Sequence, residues 1–154
     1  MELILWRHAE AQLLQDAQRD ADRPLTRKGE RQARRMAEWL DQRLPPSTRI
    51  LVSPALRTQQ TAQALERRFK TVVALAPGRS ADELLAAARW PTSDEPVLVV
   101  GHQPGLGEPG RGVATGSLAH VEAVEHGPRG RVDAVARQVE RGHRLVEQQQ
   151  LGLE

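Results

Sequence analysis

Cysteine and tyrosine are both missing from this 154-residue sequence, and phenylalanine occurs once. Without cysteine the chain has no disulfide framework, no thiolate metal site and no thiol nucleophile. Three tryptophans and one phenylalanine are too few for the stacking platforms of a nucleic-acid surface, so nucleic acid is not an expected partner. No apolar run approaches the length of a membrane span, and no basic stretch precedes the first apolar segment. No membrane partner and a cytoplasmic location are therefore expected. Lysine is scarce as well. Apart from Lys28 and Lys70, all 22 basic residues are arginine, nearly balanced by 20 acids to a formal charge of +2. Arginine suits phosphate because its planar fork binds oxyanions in a bidentate way. Arg31, Arg34, Arg35, Arg67 and Arg68, however, read as a solvated basic face.

The length fits one domain with a real core. Residues 2–6 form an apolar run of strand length that stops on Arg7 and His8. A polar stretch from Ala9 to Arg23 reads as a loop with a short helical turn. Thr26 is a candidate N-cap for a helix whose Ala33, Met36, Ala37, Leu40 and Leu44 make one apolar stripe, ended by Pro45-Pro46. Residues 49–52 form a second strand. Ser53-Pro54 then reads as an N-cap and first helical position, with Arg57 in the first turns and Ala62, Leu65 and Phe69 on the buried side. Residues 71–75 read as a third strand. Ser80 and Glu83 have the capping-box spacing before a short helix stopped at Trp90-Pro91. Residues 96–100 are continuously apolar, as befits a central parallel strand covered on both faces, and end in Gly101-His102.

Strands alternating with helices predict an α/β fold with a mostly parallel sheet. Segments following parallel strands open on one edge, which would bring Arg7, His8, Arg57 and His102 together. Two arginines and two histidines near a helix amino terminus suit a dianion that can also be attacked. A neutral imidazole can attack phosphorus in line and carry the phosphoryl group until water removes it. With no carboxylate at ligand spacing, a metal centre is the weaker alternative, and no metal or cofactor is expected. A phosphate-recognition module without turnover remains a second reading.

Four segments carry a family resemblance: Leu3-Ile-Leu-Trp-Arg7-His8-Ala9; Arg23-Pro-Leu-Thr26 with Gly29 and Gln32-Ala33; Ser53-Pro-Ala-Leu-Arg57-Thr-Gln-Gln-Thr61-Ala62; and Val97-Leu-Val-Val-Gly101-His102-Gln-Pro104. In this order they resemble the histidine phosphatase superfamily, most closely its small SixA-type phosphohistidine phosphatases. The resemblance implies a phosphoglycerate mutase-like, three-layer α-β-α sandwich. It implies His8 as nucleophile, Arg7 and Arg57 as phosphoryl ligands, with Arg23 a further candidate for substrate binding, and His102 completing the pocket. Larger members use a carboxylic acid to protonate the leaving oxygen. The candidates here are Glu10, Asp22 and Glu83, none of them obvious, which suits a P–N substrate whose imidazole leaves more readily than an alkoxide. The expected partner is a phosphohistidine protein or a small phosphate ester, and the expected state a monomer or weak dimer.

The resemblance covers residues 1–107, the phosphatase core. Residues 108–154 are an atypical segment of the same domain, in which Glu108-Pro-Gly-Arg-Gly112 breaks a helix and the next thirty residues contain no run of strand quality beyond scattered valines. Val132, Val135, Val139 and Val146 suggest a terminal helix over about 131–149, which would leave a sheet edge for a second subunit to cover. His120, His126 and His143 read as surface residues.

Overall fold

A computed structural model describes residues 2–90 and 92–102, together with the strand segments 119–126, 132–139 and 150–152. Its centre is β1 (Glu2–Arg7), flanked on one side by β4 (Val97–Gly101) and then β2 (Arg49–Val52), all parallel. The register sets Arg7 beside Gly101 and Val52 beside Val100, so the three strands end at one level. With β3 (Lys70–Thr71) outside β2, β5 (Ala119–His126) beyond β1, and β6 (Val132–Val139) and β7 (Gln150–Gly152) antiparallel beyond that, the sheet order is β3-β2-β4-β1-β5-β6-β7.

Side chains on a strand alternate between faces, and here each face meets its own helical layer. Ile4, Trp6, Ile50, Val52, Leu98 and Val100 share one core cluster with Met36, Ala37 and Leu40 of α1 (Arg27–Asp41) and Ala62 of α2 (Leu56–Gln63). Leu3, Leu51, Val97 and Val99 face the other way, onto Leu75 and onto Leu84 and Ala88 of α3 (Ala81–Ala88). This is the three-layer α-β-α sandwich. Every residue of β4 is buried, which accounts for its lack of alternation.

The helix starts follow the sequence signals. Thr26 caps α1 by accepting from the Gly29 N–H at 2.9 Å, and Ser80 and Glu83 make both bonds of a capping box on α3. Several expectations need correction. Ser53-Pro54 does not open α2. The helix begins at Leu56 with Ala55 at the N-cap position, because the Ser53 side chain is engaged elsewhere. The expected strand over 71–75 stops at Thr71 and becomes a 3-10 turn over Val73–Leu75. Its neighbour β2 ends at Val52, so no backbone remains to pair with, while the turn still buries Leu75.

Arg67 does not belong to a solvated helix face. It lies past the end of α2, bonds the Asp41 carboxylate and reaches the carbonyls of Asp41, Leu44 and Pro45, closing the carboxyl end of α1. Nor is the tail without strands, and the helix expected from 131 is a strand over 132–139. Its valines are β-branched, and eight residues of β5 offer an antiparallel partner from Ala119 opposite Val139 to His126 opposite Val132. The pairing of β1 with β5 also covers the edge that a second subunit was expected to cover. Residues 140–149 and His143 lie outside the described residues, as do the side chains of His120 and His126.

Gly29 sits where α1 crosses the loop after β1, and a Cβ there would collide with the carbonyl oxygen of Glu10. Both atoms are backbone-held, so the overlap cannot be relieved by a rotamer change. Gly29→Ala should therefore lose about 1–3 kcal/mol of stability by denaturant titration, although alanine is the better helix former. An unchanged or raised midpoint would contradict this packing.

Candidate active site

The ends of β1, β2 and β4 deliver the site. His8 follows β1 and its N–H donates to the Gly101 carbonyl at 3.1 Å, while the Ser53 N–H donates to the Val100 carbonyl at 3.1 Å. His102 follows β4 directly. The two imidazoles lie 5.3 Å apart between centroids, inclined at 56°. Arg7, His8, Arg23, Arg57 and His102 all line one cavity of about 520 Å³. The four residues expected to converge are thus brought together, with Arg23 beside them.

The segment from Ser53 to Ala62 is built to hold this wall. The Thr58 hydroxyl is bonded to the carbonyls of Ser53 and Ala55, and Gln59 donates to the Ser53 carbonyl. The Gln60 side chain accepts from the Leu25 N–H at 2.7 Å. Thr61, fully buried, donates to the Arg57 carbonyl and accepts from the Ala9 N–H at 3.1 Å. That last bond anchors Ala9, whose own carbonyl oxygen lies 2.7 Å from His8 Nδ1. A carbonyl only accepts, so Nδ1 carries the proton of the neutral ring and Nε2 keeps the lone pair.

Arg57 is 3% exposed, and two of its nitrogens are held by one residue. Asp20, in the short 3-10 turn Asp20–Asp22, takes them through its carbonyl at 2.8 Å and its carboxylate at 3.0 Å. Its other carboxylate oxygen accepts from Arg23 Nε at 2.9 Å. Burial pushes the Asp20 carboxyl up, but hydrogen bonds and charge from Arg57 and Arg23 together outweigh it and hold Asp20 below the usual carboxylate range. Sequence reasoning did not single out Asp20, one of several acids in a polar loop. Ser53, whose Oγ lies 2.7 Å from His102 Nε2, was assigned a different task.

None of the three candidate acids is a free carboxylic acid at the cavity. Glu83 is bound to Ser80 and Arg79, which hold it below the usual carboxylate range. Asp22 is paired with Arg19 on the surface. Glu10 does line the cavity, but its carboxylate accepts from Thr26 at 2.9 Å and faces Lys28 at 3.8 Å.

Three buried side-chain nitrogens or oxygens among the described residues have no hydrogen-bond partner, and two of them belong to this wall: Arg57 Nε and His102 Nδ1. Arg57 Nε is always a donor. Buried groups of this kind are ordinarily satisfied, and both residues line the one cavity. No group of three or more His, Asp or Glu residues suited to a metal occurs among the described residues, and no helix there is long and apolar enough to cross a membrane.

Residues 3–84 match the histidine phosphatase superfamily (branch 1). The chain is 39% identical over 127 residues to an uncharacterized protein of Picosynechococcus sp., covering 78% of this chain and 77% of that one. It is 43% identical over 63 residues to the phosphohistidine phosphatase SixA of Escherichia coli, covering 41% of this chain and 38% of that protein. Among solved structures, a SixA-type protein from Nakamurella multipartitia matches with a TM-score of 0.60 and 30% identity, over 88% of this chain and 83% of that one. The histidine phosphatase SixA complexed with tungstate matches with a TM-score of 0.61 and 27% identity, over 85% and 92%. The chain belongs to the histidine phosphatase superfamily, and it is SixA-like in sequence and in its phosphoglycerate mutase-like fold.

Burial lowers the His8 pKa to about 4, opposed by the Ala9 carbonyl and helped by the charges of Arg57, Arg7 and Arg23. Burial followed by the Arg57 charge lowers that of His102 to about 3. Both rings are neutral at pH 7. An unfolded histidine titrates near 6.5, so between that value and the folded pKa the unfolded chain binds more protons. Stability should be full above about pH 6.5 and fall progressively as pH drops toward 4 and then 3. Histidine NMR titration in parallel with denaturant midpoints checks this, and a ring titrating near 6.5 would refute it for that residue.

Proposed function

We propose that this protein is a phosphatase that works through a covalent phosphohistidine on His8 and takes phosphohistidine in proteins as its substrate. The carrying observation is the cavity that gathers Arg7, Arg23, Arg57 and His102 around His8, whose Nε2 keeps its lone pair, with Arg57 Nε and His102 Nδ1 left unpartnered on its lining residues. A phosphoryl group fits that inventory, since its transfer asks chiefly for a placed nucleophile and positive charge around the equatorial oxygens. The tungstate in the SixA relative's structure, a tetrahedral oxyanion, supports the same reading.

His8 Nε2 attacks phosphorus opposite the leaving group, forming N–P as the substrate's own N–P or O–P bond breaks. Arg7 and Arg57 neutralise charge on the phosphoryl oxygens, with Arg23 behind them. Water then attacks phosphorus, the His8 N–P bond breaks, and inorganic phosphate and neutral His8 are released. The Ala9 carbonyl holds Nδ1–H throughout, which also stabilises positive charge on the phosphorylated ring.

The choice of substrate rests on the acids. Asp22 and Glu83 do not line the cavity and are tied into ion pairs or hydrogen bonds, Glu10 lines it but is bonded to Thr26 and faces Lys28, and Asp20 is ionised between two arginines. An alkoxide would leave without help, whereas the imidazole of phosphohistidine can depart already protonated on its distal nitrogen.

Hydrolysis of p-nitrophenyl phosphate in the presence of chelator should therefore proceed, and His8→Ala should lower it at least about a thousandfold. Acid quench during turnover should trap phosphate on His8, and a phosphohistidine peptide should be preferred over an alkyl phosphate. Activity surviving His8→Ala would end the covalent mechanism. Equal turnover of the two substrate types would remove the argument for phosphohistidine.

A further inference from the structure

The contact between Ser53 Oγ and His102 Nε2 joins two buried side chains at 2.7 Å, and the distance alone leaves the direction of donation open. The other bond of Ser53 closes the question. Its oxygen already accepts from the Ala55 N–H at 3.3 Å. The hydroxyl proton needs an acceptor of its own, and the partner the structure offers it among the described residues is His102 Nε2. Donation in the opposite sense would make the serine oxygen accept twice and leave its proton buried without a partner. It would also leave His102 Nδ1 as a bare lone pair in a wall that holds Arg7 and Arg57 to receive an anion.

We propose that Ser53 is a positioning residue: its hydroxyl donates to His102 Nε2 and fixes the ring as its Nδ1–H tautomer, making His102 a neutral hydrogen-bond donor to the transferring phosphoryl group. The role rests on the reading of the cavity as a phosphoryl site, and it separates two tasks that an imidazole could combine. His102 offers a proton without giving it up, so it acts as a fixed dipole and not as a general acid. Burial and the neighbouring Arg57 charge favour the same uncharged state. The arrangement complements His8, where the Ala9 carbonyl selects the Nδ1–H form and leaves Nε2 free to attack. One ring is set by an acceptor to be a nucleophile, and the other is set by a donor, through its far nitrogen, to be a donor itself.

The direct test is long-range nitrogen–proton NMR on histidine-labelled protein. His102 should show a protonated Nδ1 and an unprotonated Nε2, with the Nδ1 signal moving on addition of inorganic phosphate. An Nε2–H tautomer in the native protein overturns the proposal. This measurement needs no turnover, so it stands apart from the outcome of the His8→Ala assay, which tests the phosphatase reading itself.

Kinetics supply the second arm. The amide nitrogen of asparagine overlays Nδ1 of histidine, and that of glutamine overlays Nε2. His102→Asn should accordingly retain more kcat than His102→Gln. Ser53→Ala should lower kcat roughly tenfold in the native background, and less than about twofold on top of His102→Asn, where no tautomer remains to be set. The same factor in both backgrounds would mean that Ser53 acts only through the fold. Should Ser53→Ala fail to fold, the ranking decides, and His102→Gln equal to or better than His102→Asn overturns the proposal.

Discussion

The insertion of β4 between β1 and β2 is the constraint on which the site depends. These strands are far apart in sequence, and only their parallel register brings their carboxyl ends to one level. The cost of ordering a central parallel strand is offset by complete burial on both faces, and Val97, Leu98, Val99 and Val100 are each wholly buried. A shift of one residue would exchange the two faces of β4 and carry His102 out of line with His8 and Ser53. The same apolar packing that stabilises the sheet therefore sets the spacing of the polar groups at its end.

Electrostatically the pocket is arranged for an incoming charge. Its arginines are positive and its two histidines neutral, and these facts are linked, since Arg57 helps to keep both rings unprotonated. A protonated His8 would have no lone pair to attack with, so the arginines proposed to hold a phosphate also help to keep the proposed nucleophile unprotonated. Asp20 offsets part of the charge and fixes the guanidinium plane of Arg57. A guanidinium has five N–H donors in a rigid fork, and Asp20 uses only some of them, leaving Nε without a partner. An anion and Asp20 can thus share one arginine.

Much of this could be read along the chain because local signals agreed with the global fold. The apolar run before Arg7-His8, the unbroken run before Gly101-His102, the Thr26 cap and the Ser80–Glu83 box each have one dominant physical meaning. The misreadings fell where a residue had two. Ser53 followed by Pro54 has the form of a helix start, and nothing in sequence tells that its hydroxyl is drawn instead toward a histidine 49 positions away. Val132, Val135 and Val139 have helical spacing, but the open edge of β5 supplies hydrogen bonds that periodicity does not record. Asp20 and Arg67 were illegible for the same reason, as their partners lie 37 and 26 residues away.

The long-range bonds nevertheless form a consistent chain from packing to chemistry. Thr61 is buried because α2 packs against the loop after β1, and from that position its hydroxyl ties the Arg57 carbonyl to the Ala9 amide. Ala9 in turn holds His8 Nδ1. The helix that carries one proposed phosphate ligand, Arg57, thus also orients the proposed nucleophile, through a single buried threonine. Gly29 adds the opposing wall, since close approach of α1 presses on the Glu10 carbonyl and Gln32 accepts from the Glu10 amide at 3.0 Å. The loop from His8 to Ala11 is clamped between α1 and α2, and groups held in this way need little reorganisation when charge develops on a bound phosphoryl group. For the proposed phosphoryl pocket that preorganisation would supply rate without a free acid, and it is built from the buried polar residues Ser53, Arg57, Thr58, Thr61 and His102.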